Sequence, residues 1–91
     1  MVEENHSERQ QQTIHRIHRI QGQLSGLERM IEAGSTCEAL VTQGRAVEKS
    51  VASLIDHVVE GFLLLQVRSL METNPDEVIT QVKRIFELVN K

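Results

Sequence analysis

With 91 residues, a formal net charge of −3, one cysteine and two aromatic residues, the chain fits one domain. It leaves no room for a separate effector domain, an intrachain disulfide framework or the aromatic-rich strands of a β-sandwich. Hydrophobic residues still make up 40%, nearly all of them aliphatic, which helices accept readily.

Residues 1–6 read as a disordered tail before a single helical domain over 7–91. The first helix is expected over 7–33, opened by Ser7-Glu8-Arg9-Gln10 as a capping box and closed by Gly34. Ile14, Ile17, Leu24, Leu27 and Ile31 recur at three- and four-residue steps along it. Gly22 and Gly26 lie four apart on one face, a pattern that permits close helix packing. Ser35-Thr36-Cys37-Glu38 is a second capping box and opens a helix over 36–72, with apolar residues from Leu40 to Leu70 and no proline before Pro75. A helix of roughly 35 residues is about 50 Å long, whereas a compact chain of this size is only about 30 Å across. Its apolar face therefore calls for a second subunit, and a homo-oligomer is expected. Asn74-Pro75-Asp76-Glu77 opens a short third helix over 75–90. The fold class is all-α, with one very long central helix. The chain start shows no basic segment followed by an apolar one. The longest uninterrupted apolar run, Phe62 to Leu65, is too short for a bilayer. A cytoplasmic protein without a membrane partner is expected.

Between Arg9 and Leu27 there are three arginines, two histidines and no acid. Arg16, Arg19 and Gln23 share one side of the first helix, Arg9 lies a heptad before Arg16, and Arg45 and Lys49 are one turn apart on the second helix. Such groups bind phosphate oxygens, or else form an ordinary solvated face. Cys37 falls in the first turn of the long helix, where free N–H groups favour a thiolate. It reads either as a small core residue or as a reactive thiol. Among the histidines, His6 is in the tail, His15 and His18 flank the basic face, and His57 joins Asp56 and Glu60 in a polar stripe. No histidine pair has the spacing that binds one metal from one helix. No enzyme signature is present.

The stretch Arg16-Ile17-His18-Arg19-Ile20-Gln21-Gly22-Gln23-Leu24-Ser25-Gly26-Leu27, followed by Cys37-Glu38-Ala39-Leu40-Val41-Thr42-Gln43, resembles the CsoR/RcnR/FrmR repressors. The resemblance covers roughly residues 10 to 70. It implies antiparallel four-helix-bundle dimers that assemble into a disc-shaped tetramer, a dimer of dimers. It also implies repression through operator double-stranded DNA, with release when an effector binds. Arg16, Arg19 and Gln23 match that family's basic region on the first helix, Arg45 matches a basic position on the second, and Cys37 matches the sensing thiol. The further metal ligands of the family fall on Phe62 and Gln66 here, and phenylalanine cannot bind a metal. The resemblance therefore favours a small thiol-reactive effector sensed at Cys37, such as formaldehyde or reactive sulfur. In the formaldehyde-sensing members the N-terminal amine of a neighbouring subunit takes part, although the proline that follows their initiator Met is Val2 here. A metal-responsive repressor for nickel, cobalt or copper, with a reduced site of Cys37 and His6, is the alternative. A helical oligomerisation module that binds no DNA is the rival from another class.

Overall fold

The structure, a computed structural model, describes residues 6–91, the side chain of His6 excepted. Its elements are α1 (His6–Glu32), α2 (Cys37–Gly61), a π-helical turn (Phe62–Gln66), α3 (Val67–Thr73) and α4 (Pro75–Val89). The described residues contain no strand, and helical residues run without a break from Cys37 to Thr73. The chain is thus all-helical with one long central helix. The expected tail of residues 1–6 lies outside the described residues except for His6, which begins α1.

The ends of the helices show which sequence signals are used. Ser7 lies inside α1 and is not its N-cap, so the first capping box is not formed. α1 already includes His6, two residues before the first helical position that a Ser7 cap requires. At the other end, Gly34 takes φ +75, a left-handed conformation that glycine adopts without steric cost. Its N–H donates to the Ile31 carbonyl at 3.1 Å and that of Ser35 to the Met30 carbonyl at 2.9 Å, the paired bonds of a Schellman motif. The next helix is capped by Thr36 rather than Ser35: Thr36 Oγ1 accepts from the Ala39 N–H at 3.1 Å. This cap sets Cys37 as the first helical residue. Asn74 precedes Pro75 and is extended, at φ −153, with no side-chain bond to α4. A residue before proline is pushed out of the helical region, and here the Asn74 carbonyl accepts from the Glu77 N–H instead.

Sequence periodicity did not register the π-helical turn. The Val67 N–H donates to the Phe62 carbonyl, five residues back where an α-helix bonds four back. The aliphatic run Phe62–Leu65 carries no proline or glycine to mark it.

Two units make up the chain, Met1–His57 and Val58–Lys91. In the first, α1 and α2 run antiparallel, since Arg9 meets His57, Arg16 meets Ser53 and Gln23 meets Gln43. Ile20 is its buried hydrophobic residue. Arg9 and His57 are buried as well, each only 6% exposed. Arg9 Nη2 donates to the His57 carbonyl at 2.9 Å and contacts His57 Nδ1 at 3.1 Å. A guanidinium has only donors, so Nδ1 is the acceptor and the ring proton sits on Nε2. Nε2 is buried without a partner among the described residues. His57 is therefore no part of a surface stripe. Gly22 and Gly26 permit no close approach within the chain: a Cβ at Gly22 would meet nothing within 4 Å, and one at Gly26 would make ordinary contact with Gln43.

In the second unit α4 folds back along the preceding helix. Val59, Phe62 and Leu63 line an apolar groove together with Val82, Ile85, Phe86 and Val89. Phe62 is the buried hydrophobic residue of this unit. Large apolar side chains elsewhere remain open, among them Ile79 at 71% and Phe86 at 69% exposed. Neither unit encloses a core of the size its apolar content would fill. By length and composition the helix Cys37–Thr73 is also apolar enough to cross a membrane, which a count of uninterrupted apolar residues does not detect. Asp56, His57 and Glu60 stand near its middle.

Candidate nucleic-acid interface

Arg16 and Arg19 of α1 and Lys49, Ser50 and Ser53 of α2 line one open groove of ≈ 170 Å³ within the first unit. The spacing explains the grouping. Arg16 and Arg19 are one turn apart, as are Lys49 and Ser53, and the antiparallel crossing brings the two short rows together. Arg16 Nη1 donates to Ser53 Oγ at 2.8 Å. None of the three cations has a carboxylate partner among the described residues. Their charge is consequently available to an external anion, and guanidinium and ammonium groups bind phosphate oxygens by charge-assisted hydrogen bonds.

The other expected DNA contacts are placed differently. Arg45 is exposed one turn before Lys49 but forms an ion pair with Glu48 at 2.9 Å, an exposed pair worth about 1 kcal/mol or less. Arg9 lies apart from the groove: its guanidinium is buried against His57, because the antiparallel packing turns this position toward α2. Gln23 is also drawn in against α2. Its carbonyl accepts from Gln43 Nε2 at 3.3 Å, and its Oε1 is buried without a partner among the described residues. Neither residue lines the groove. Sequence reasoning missed Ser50 and Ser53, although Ser50 follows Lys49 directly and Ser53 lies one turn beyond both, a spacing that was readable.

Cys37 is a free, exposed thiol at the first position of α2. The side chain of His6, proposed as its partner, lies outside the described residues, as does Val2. Phe62 is buried in the apolar groove of the second unit, and Gln66 ends the π-helical turn exposed. Phe62 has no lone pair to donate, so these residues do not fit a three-ligand soft-metal site. Among the described residues no group of three or more His, Cys, Asp or Glu side chains is arranged to hold a metal ion.

A family model described as "Metal-sensitive transcriptional repressor" matches residues 9–91. The chain belongs to that family, the CsoR/RcnR repressors. Among curated proteins, an uncharacterized protein in the bioA 5′ region of Serratia marcescens is 40% identical over 52 residues, a match that covers 57% of each chain. No solved structure matches.

Proposed function

We propose that this chain is a cytoplasmic DNA-binding repressor whose groove of Arg16, Arg19 and Lys49 holds backbone phosphates of an operator duplex. The observation that carries the reading is the convergence of these three cations, none with a carboxylate partner, on one groove. Membership of a repressor family supports it. Such contacts position a protein on DNA without reading bases, and this accounts for an acidic chain binding an acidic polymer: local charge outweighs the net charge of −3.

The exposed apolar residues of both units support assembly with further copies of the chain, first a dimer of antiparallel helices and then a disc-shaped tetramer. A lipid partner is disfavoured by Asp56 and Glu60, since each acid at mid-membrane costs roughly 2.5–3.5 kcal/mol. Symmetry then repeats the cationic groove along the duplex. Titrating salt against fluorescence anisotropy of the chain's own promoter DNA tests the reading. Each neutralised phosphate contributes about −0.9 to the slope of log K against log salt, so two protomers with three cations each give a slope near about −5. Duplex that is not retained at any salt would leave a helical oligomerisation module as the better reading.

The input is assigned to Cys37. Its thiol heads α2, and Lys49 lies twelve residues on, about 18 Å away along a rigid helix. A change at Cys37 thus moves the α2 half of the groove against the α1 half. Formaldehyde and reactive sulfur suit a lone exposed thiol. The family description favours a metal as the second reading, with Cys37 and His6 as the available donors. Intact mass after treatment with formaldehyde or persulfide, compared between the native chain and Cys37→Ala, separates the two. An adduct confined to the native chain, together with loss of promoter binding, supports the thiol reading. Equal adducts in both proteins, or stoichiometric tight binding of Cu(I), Ni(II) or Co(II), would sink it.

A further inference from the structure

We infer that Ser53 is a positioning residue that makes the groove a discrete phosphate seat shared between α1 and α2. This rests on the phosphate-binding reading above and deepens it. Arg16 is long and flexible, and an unrestrained guanidinium loses considerable rotamer entropy when it binds an anion. Here Ser53 Oγ accepts from Arg16 Nη1 at 2.8 Å. This bond ties the α1 guanidinium to α2 before any ligand arrives. The remaining Arg16 donors carry no hydrogen bond among the described residues. They stay available in the same groove as Arg19, Lys49 and the Ser50 hydroxyl. Four donor groups from two helices then converge on one tetrahedral anion, and the seat exists only while the two helices keep this register. Asp56 lies one turn beyond Ser53 on α2 and sets a repulsive limit to the seat on that side.

Two measurements on the full chain test this. In the first, inorganic phosphate is titrated while the Arg16 side-chain N–H resonance is followed by NMR. A saturable shift is expected in the native chain, with affinity reduced about three- to tenfold by Ser53→Ala, the range of one net hydrogen bond. Ser53→Thr, which keeps the hydroxyl, restores it. Alanine on an exposed helical position favours the helix, so circular dichroism remains native. No saturable shift in the native chain, or an unchanged affinity in Ser53→Ala, overturns the seat.

The second is a double-mutant cycle read by promoter-duplex affinity. Ser53→Ala weakens binding in the native background and has no further effect beside Arg16→Gln, because Ser53 acts through that guanidinium. Equal losses in both backgrounds overturn the positioning role. If the phosphate titration behaves as expected but no duplex binds, the repressor reading falls and the seat stands.

Discussion

Arg16 keeps donors open in a solvent-facing groove, whereas the Arg9 guanidinium is buried and bonded to His57, and this separates the two arginines. Arg16→Gln should lower the magnitude of the salt slope of promoter binding by about 0.9 for each protomer engaged. Arg9→Met should leave the slope unchanged. It removes the donor to a buried carbonyl and to His57 Nδ1, so urea denaturation should record a loss of about 1–3 kcal/mol. A reduced slope with unchanged stability in Arg9→Met would mean that Arg9 faces DNA after all. Both residues are arginines on the same helix, seven positions apart, and spacing alone put them on one face. What divides them is how α2 crosses, since a heptad falls about 20° short of whole turns and the two helices do not stay equidistant.

At the scale of elements, the link from α1 to α2 fixes where Cys37 sits. Gly34→Ala forces a Cβ into the left-handed region and should destabilise by about 1–2 kcal/mol. Thr36→Ala removes the bond to Ala39 and should cost about 1 kcal/mol. Hydrogen exchange distinguishes them: Thr36→Ala should speed exchange at the first turn of α2, around Cys37, while Gly34→Ala should also release the last turn of α1. Uniform protection in Thr36→Ala would show that its side chain does not secure the helix start. The sequence reading had the cap within one residue. Ser35 and Thr36 are both competent, and the Schellman bond that takes up the Ser35 N–H leaves Thr36 to cap.

For the molecule as a whole, the decisive feature is how little each unit buries. Ile20 and Phe62 are the buried hydrophobic residues among those described, while Ile79, Phe86 and many other aliphatic side chains are open. At roughly 25 cal/mol per Å² of apolar surface removed from water, such faces drive association strongly. Sedimentation velocity at micromolar concentration should therefore show an oligomer. Phe86→Glu, which puts a charge on the most open aromatic position, should shift it toward smaller species and lower the apparent melting temperature in a concentration-dependent way. A stable native monomer with the same melting temperature at every concentration would refute the assembly and the repeated groove with it.

Periodicity and capping chemistry alone determined that the chain is helical, that the central helix is the longest, and where the breaks fall. Glycine at 34 and proline at 75 act through backbone sterics that need no tertiary partner. The motif around Arg16 to Leu27 and Cys37 to Gln43 was enough to identify the family. Which charged residues share a groove, which are buried, and that Ser50 and Ser53 complete the cationic cluster were decided by the antiparallel crossing of α1 and α2. The π-helical turn belongs with these, because it changes the register of a helix whose residues give no local reason for it. Faces are local properties of one helix, but neighbours are set by the angle and register between two. Those depend on side-chain interdigitation that no single segment encodes.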